Sequence, residues 1–228
     1  GLWVVWGFFV VVLWWLFVGC FVLGVWFVVF GARSFFPDGE NVQLLTVKSC
    51  KNHNNAKSTD DLYVLAQICM NSSPSNRARE VWEAKVVPQL SYNNHALRRR
   101  LAAGSVKQAD DSVLYKVEVA RFDSFFTALS CGIVRKACGA TLPNNYKIRH
   151  VYHNFSGESD PLVQCYESAV GAFYSGDPLG FMEFGDPRTK NERIYSVKIF
   201  GMPGFVSSIT LVHLFFGVFK VTSMLSRV

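Results

Sequence analysis

A single histidine interrupts the apolar run Leu211–Gly217, which reads LVHLFFG. An unpaired imidazole is costly to bury in hydrocarbon, so polar groups inside a membrane usually face protein or water. In a helix, His213 would share one face with Thr210 and Gly217, three residues before it and four residues after it. The spacing therefore predicts a packing and hydrogen-bonding role for His213, with Thr210, a backbone carbonyl, water or a tryptophan N–H as its partner.

Residue types in the two apolar runs of the chain, residues 2–30 and residues 199–219, also favour packing over catalysis. Tryptophan usually lies at the membrane interfaces, yet two tryptophans fall near the centre of the first run. Small residues let helices approach each other closely. The residues expected in intramembrane packing or polar contact are His213, Thr210, Gly217, Gly204, Ser208, Trp14, Trp15, Cys20 and Gly24. Two helices can bury only one seam each against one another, so this excess predicts neighbouring helices from other subunits.

The residue pairs that could bind a metal have unfavourable spacing. His150 and His153 are three apart, Cys131 and Cys138 are seven apart, and the chain has no C-x-x-C or H-E-x-x-H sequence. A nucleophile elbow and a Gly-rich phosphate loop are also missing from the sequence. We therefore predict no catalytic, metal or cofactor-binding residue. A membrane enzyme that uses His213, or His150 with His153, is a third alternative.

The basic residues suggest contacts with anionic lipid head groups. The chain carries a net charge of +6, and cationic side chains next to apolar segments favour anionic membranes. Candidates for this contact are Arg33, Arg98, Arg99, Arg100, Lys198 and Lys220. The three consecutive arginines point in three directions on a helix, so a solvated helix face is an alternative for them. Nucleic-acid binding would require more basic residues and exposed aromatic rings, and we predict none.

Two apolar segments define the predicted organisation. Residues 2–30 contain no charged residue, and as a helix they would extend about 43 Å, against about 30 Å for a bilayer core. Residues 199–219 are also without charge and match one crossing in length. The sequence thus predicts transmembrane helices at 1–32 and 199–219, an extramembrane domain at 33–198 and a short tail at 220–228.

Capping signals predict a mostly helical extramembrane domain. Residues 58–104 suggest three short helices, with Ser58 and Ser75 as N-caps, Pro88 ending the second helix and Gly104 closing the third. Residues 112–138 suggest a strand followed by a helix, and residues 160–176 suggest another helix. The segments between and after these, up to residue 193, resemble turns and loops. The predicted fold class is a mainly α membrane protein with two transmembrane helices and some short strands.

Three signals bear on the side of the membrane that the domain occupies. Basic residues beside the predicted spans favour the inner side. The sequons at Asn71 and Asn154 favour a lumen, although one or two matches are expected by chance. The domain contains five cysteines, and this odd number favours a reducing compartment. Two of the three signals favour the inner side.

These features together predict a non-catalytic accessory or assembly subunit of a multi-subunit integral membrane complex. The expected location is an energy-transducing organelle membrane such as the mitochondrial inner membrane, in a complex of the respiratory-chain or ATP synthase type. Expected partners are other membrane-protein subunits and membrane lipids. The alternative is a surface or viral envelope glycoprotein, or a channel auxiliary subunit, with a lumenal ectodomain. The start at Gly1 fits a removed targeting segment or a partial sequence.

Overall fold

A computed structural model of the chain describes residues 25–28, 36, 46–49, 51–73, 75–155, 165, 168, 180–184, 194–201 and 208–228. Helices occupy much of the region from residue 51 to residue 138. They are α1 (Lys51–Met70), α2 (Asn76–Val81), a π-helical segment (Trp82–Val86), α3 (Val87–Leu90), α4 (Ala96–Ala102) and α5 (Val119–Cys138).

The described strands form three antiparallel sheets. Two of the sheets are two-stranded ribbons, β1 (Val25–Val28) with β2 (Thr46–Ser49) and β3 (Val106–Lys107) with β4 (Val113–Leu114). The third sheet has five strands in the order β5-β9-β8-β7-β6. Its strands are β5 (Tyr146–Tyr152), β6 (Gly180–Phe184), β7 (Tyr195–Phe200), β8 (Ile209–Phe215) and β9 (Phe219–Arg227).

The sequence-based fold class is wrong, because the structure has a mixed α/β fold. The predicted span 199–219 contains the end of β7, all of β8 and the first residue of β9. The predicted tail 220–228 lies almost wholly in β9. A short apolar run fits a buried strand as well as a helix, and its hydrophobicity alone does not distinguish the two. Among the residues that the structure describes, no helix combines the length and hydrophobicity needed to cross a bilayer.

The first predicted span lies outside the described residues except for Val25–Val28, which form strand β1. The predicted helix at 160–176 also lies outside them, apart from helical positions Cys165 and Ser168. Two segments expected to be irregular contain strands instead, β5 and β6.

A tight turn connects β8 to β9 and determines their pairing. Phe215 pairs with Phe219 across three turn residues, and Gly217 takes a φ of 71°, which costs glycine little because it has no Cβ. Phe216 also has a positive φ of 53°. Its side chain is fully buried and its N–H donates to the Ile194 carbonyl at 2.9 Å. These contacts offset the strain of a left-handed aromatic residue.

Helix α5 packs on strands β5 and β9 and also contacts α1. Its buried residues recur at helical spacing: Phe122, Phe125, Phe126, Leu129, Ser130, Gly132, Ile133 and Val134. The ring of Phe122 lies 5.5 Å from that of Tyr152, and the ring of Phe126 lies 6.1 Å from that of Phe215, both edge-on. These rings form the core between α5 and the sheet, where aromatic pairs add to the free energy of burial.

Polar contacts attach α1 to the first turn of α5. The Tyr63 hydroxyl accepts a hydrogen bond from the Glu118 amide at 2.9 Å. Arg121 donates to the Glu118 carboxylate at 2.6 Å and forms a second ion pair with Asp60. Because Tyr63 is fully buried, its hydroxyl needs a hydrogen-bond partner, which the Glu118 amide supplies. Together with the ion pairs of Arg121, this bond fixes the first turn of α5 beside α1.

Helix α2 begins at the predicted cap, and its path continues past the predicted end. The Ser75 hydroxyl accepts from the Ala78 amide at 3.3 Å. Pro88 does not end the helical path, since it occupies the first turn of α3, where a missing N–H is tolerated.

Replacing the cap, Ser75→Ala, is expected to lower the free energy of unfolding by about 1 kcal/mol, because one amide of the first turn loses its acceptor. Urea unfolding followed by circular dichroism measures this loss. Ser91→Ala is the control, since the Ser91 hydroxyl is exposed and donates to the Pro88 carbonyl. Equal stability of the two variants would contradict the capping role.

Candidate functional site

The polar side chains around His213 lie on the face of the five-stranded sheet that packs against α5, here called the inner face. Tyr195 of β7 pairs with Phe215, two residues after His213 on β8. His213 in turn pairs with Val221, two residues before Ser223 on β9. Ser223 pairs directly with His150 of β5. Diagonal neighbours on one face are within side-chain reach, so the register places these four side chains in one line across four strands.

These side chains form a continuous hydrogen-bonded chain. The Tyr195 hydroxyl lies 2.7 Å from Nδ1 of His213, and Nε2 of His213 lies 2.9 Å from Oγ of Ser223. Oγ of Ser223 is also 2.8 Å from Nδ1 of His150, whose Nε2 lies 3.0 Å from Oγ1 of Thr127 on α5. This polar network, defined by Tyr195, His213, Ser223, His150 and Thr127, connects the sheet to the helix.

Both imidazoles can be neutral and still use both of their ring nitrogens. A neutral imidazole offers one donor and one acceptor, and a hydroxyl can do both. In one arrangement Tyr195 donates to His213, His213 to Ser223, and so on to Thr127. In the reverse arrangement every one of these donors becomes an acceptor. Ser130 of α5, 3.4 Å from Nε2 of His213, is a second hydroxyl at the same nitrogen.

Burial keeps the network uncharged at neutral pH. The pKa of His213 is lowered to about 3, first by desolvation and then by the nearby His150. Desolvation also lowers the pKa of His150 to about 4, although Asp123 partly opposes this effect. Removing an ionised group from water disfavours its charged form. Burial likewise raises the pKa of the Tyr195 hydroxyl.

The burial of the polar network favours a role in stabilising the fold over a role in catalysis. His213, Ser223 and Tyr195 are each fully buried, so a substrate cannot reach the two atoms that resemble a nucleophile and a base. Only the His150 and Thr127 end is partly exposed. Buried polar groups that satisfy one another can specify a unique packing arrangement.

The structure separates the residues expected beside His213. Thr210 lies on the opposite face of β8, because strand neighbours at odd spacing point to opposite sides. Gly217 is in the β8–β9 turn, and Ser208 is exposed just before β8. Gly204, Trp14, Trp15, Cys20, Gly24 and Arg33 lie outside the described residues. The partners of His213 were missed because only the pairing of strands β5, β9, β8 and β7 brings them together.

The two histidines considered as a metal pair bond to different groups. His150 lies on the inner face, whereas Nε2 of His153 is 3.0 Å from Oγ1 of Thr222, which faces the other side of the sheet. Within the described part of the chain, no group of three or more His, Cys, Asp or Glu side chains is arranged to hold a metal ion.

A second polar surface lies on the other side of the sheet, here called the outer face. Lys147 and Arg149 of β5 are exposed on it, as is Lys198 of β7, and Lys220 of β9 is half-buried. Two residues expected at lipid head groups, Lys198 and Lys220, therefore share this face. The arginine triplet lies on α4 instead, with Arg98 and Arg99 exposed and Arg100 half-buried.

Cys69, Cys138 and Cys165 carry free thiols. Burial raises the pKa of the Cys69 thiol to about 12, which makes it a poor nucleophile.

The asparagines of the two sequons form hydrogen bonds to the backbone. The side-chain amide of Asn154 donates to the Val218 carbonyl at 3.3 Å and accepts from the backbone N–H of Lys220 at 2.8 Å. Asn71 donates to the Gln67 carbonyl at 2.8 Å.

No protein-family model matches the chain, and neither a curated protein nor a solved structure matches it.

Proposed function

We propose that this chain is a non-catalytic accessory subunit of a membrane-associated protein complex. The polar network is the main support for this proposal. Its histidines, serine and tyrosine resemble catalytic groups in type, but they are buried, uncharged at neutral pH and hydrogen-bonded to one another. Such groups contribute stability and packing specificity to a domain that acts by binding.

The apolar residues that precede strand β1, residues 2–24, support attachment to a membrane. They contain no charged residue, and a segment of this length and hydrophobicity partitions favourably into lipid. The thiols of the folded domain fit a reducing compartment. A complex in an energy-transducing organelle membrane, with other membrane-protein subunits and lipids as partners, suits both features.

An exposed apolar ribbon provides a surface for a partner protein. Val106, Val113, Leu114 and Tyr115 of the β3–β4 ribbon are between 41% and 60% exposed. The nearby charges of Lys107 and Asp111 form an ion pair at 2.5 Å, so the ribbon offers little charge to attract anionic lipid. Exposed apolar clusters of this kind are typical of protein–protein interfaces.

A native gel of mildly solubilised membranes, with mass spectrometry of the band that contains this chain, tests the proposal. We expect the chain to migrate with several partners. Leu114→Glu should reduce the recovered partners about tenfold or more, as expected for an interface residue. Val87→Glu is the matched control, since Val87 is 44% exposed and Leu114 is 45% exposed. Migration of the unmodified chain alone, near 25.6 kDa plus detergent, would contradict the subunit proposal.

The glycoprotein alternative has less support. A glycan on Asn154 would replace one hydrogen of the amide nitrogen that donates to Val218, and would have to fit a half-buried site. The hydrogen bonds of Asn154 connect the end of β5 to the start of β9, so a glycan there would disturb the sheet.

A further inference from the structure

We propose that the outer face of the five-stranded sheet is a docking surface for an anionic phospholipid membrane. This inference deepens the proposed function and rests on it for membrane attachment. The strand register brings together basic residues from three parts of the sequence. Those parts are residues 147–149, residue 198 and residue 220.

The basic residues surround the centre of the face instead of forming one cluster. Lys198 pairs with Val212, which pairs with Thr222, which pairs with Val151 of β5. This row crosses three strand spacings, or about 14 Å. Arg149 lies two residues from one end of the row. Long cationic side chains at this separation can contact several lipid head groups of one flat surface at once.

The charge on the described strands of this face is strongly asymmetric. Lys147, Arg149, Lys198 and Lys220 are basic, and Glu183 on strand β6 is acidic. Glu183 lies diagonal to Lys198, since Phe181 pairs with Lys198 and Glu183 pairs with Ser196. The β5 side therefore carries the stronger positive charge, and it is complementary to an anionic surface.

The side chains between the basic residues favour lipid over nucleic acid. On this face Phe200, Thr210 and Thr222 are buried, whereas Val151, Val212, Leu214 and Met224 are half-buried. Part of the apolar area therefore remains accessible beside the charges. Apolar area bordered by cations is typical of proteins that bind at the membrane interface. Single-stranded nucleic acid is usually bound by stacking on aromatic rings, whereas Phe200, an aromatic residue of this face, is only 7% exposed.

The test uses the full chain reconstituted in phosphatidylcholine vesicles that contain a photoactivatable analogue of either phosphatidylserine or phosphatidylcholine. Mass spectrometry identifies the labelled peptides. We expect the phosphatidylserine analogue to label peptides of β5 and β9 about tenfold more than the phosphatidylcholine analogue does. The triple variant Lys147→Gln, Arg149→Gln, Lys198→Gln should remove most of this difference, since each basic residue near an anionic surface changes binding about fivefold.

A matched triple variant, Arg79→Gln, Lys116→Gln, Lys136→Gln, removes the same charge from exposed positions on helix α2, beside β4 and on helix α5. It should leave the labelling of β5 and β9 unchanged. Equal labelling by the two analogues, or an equal loss in both triple variants, would overturn the proposal. Binding of single-stranded RNA that is lost in the first triple variant, without preferential phosphatidylserine labelling, would assign the face to nucleic acid. The native-gel result is independent of all these outcomes, so failure of this inference is distinguishable from failure of the subunit proposal.

Discussion

Acidification from pH 7 to pH 4 should lower the free energy of unfolding of this domain by several kcal/mol. The pKa of His213 is about 3 and that of His150 about 4 in the folded state, whereas an exposed histidine has a pKa of about 6.5. Above that value both histidines are neutral in both states, so they add no pH dependence. Below it the unfolded chain binds protons that the folded chain does not. Each histidine then costs about 1.4 kcal/mol per pH unit.

Urea unfolding at a series of pH values measures this dependence. The loss should begin as the pH falls below about 6.5 and should continue towards the folded pKa values of the two histidines. Ser91→Ala is the control variant, because Ser91 is exposed and carries no titratable side chain, and it should show the same pH dependence as the unmodified chain. A stability that stays constant between pH 6.5 and pH 4 would mean that the two histidines are accessible to protons in the folded domain.

The variant His213→Leu should lower the free energy of unfolding by about 2 to 4 kcal/mol. Leucine fills much of the same space, but the Tyr195 hydroxyl loses its hydrogen bond at 2.7 Å and the Ser223 hydroxyl keeps only its contact with His150. Loss of the hydrogen bonds of buried polar groups costs about 1 to 3 kcal/mol for each group affected. Thermal or urea unfolding measures the loss.

Two further variants identify the cause of that loss. Adding Tyr195→Phe to His213→Leu should recover part of the stability, because it removes the hydroxyl that has lost its hydrogen bond to His213. Val212→Leu, at the neighbouring half-buried position on the outer face, should change stability by less than about 1.5 kcal/mol. If the single variant His213→Leu proved as stable as the unmodified chain, the polar network would not be holding the domain together.

Local signals of the sequence predicted several of the helices in the middle of the chain, although Ser58, the expected N-cap, lies inside α1 (Lys51–Met70). Ser75 is the cap of α2, and Gly104 follows α4 with a positive φ of 72°, both as expected from short-range rules. The aromatic spacing from Phe122 to Leu129 predicted α5, because an amphipathic period is visible within one segment.

The five-stranded sheet was missed because its strands resemble other structures when each is taken alone. Strand β8, ITLVHLF, is mostly apolar, and residues on both of its faces are wholly or partly buried. It therefore lacks the alternation that marks a strand with one solvated face. Strand β5, YKIRHVY, does alternate, but asparagines on both sides suggested a loop.

The polar network could not be predicted without those strands. His213 could be recognised as a buried histidine that needed partners, but Tyr195, Ser223 and His150 are 18, 10 and 63 residues away in the sequence. Only the register of an antiparallel sheet brings them within hydrogen-bond distance. A strand assignment for residues 209–215 would have placed His213 beside Leu211 and Phe215 instead of beside Thr210.

Histidine ring-nitrogen NMR of the full chain across a pH titration tests most directly whether the polar network is structural. We propose that the side chains of the polar network stay neutral and shielded from solvent, and that partners bind at the surface of the domain. The ring nitrogens of His213 should keep one protonated and one unprotonated signal from pH 8 to about pH 5. A His213 signal that titrates near pH 6.5 would show an accessible, ionisable imidazole and would contradict the structural role.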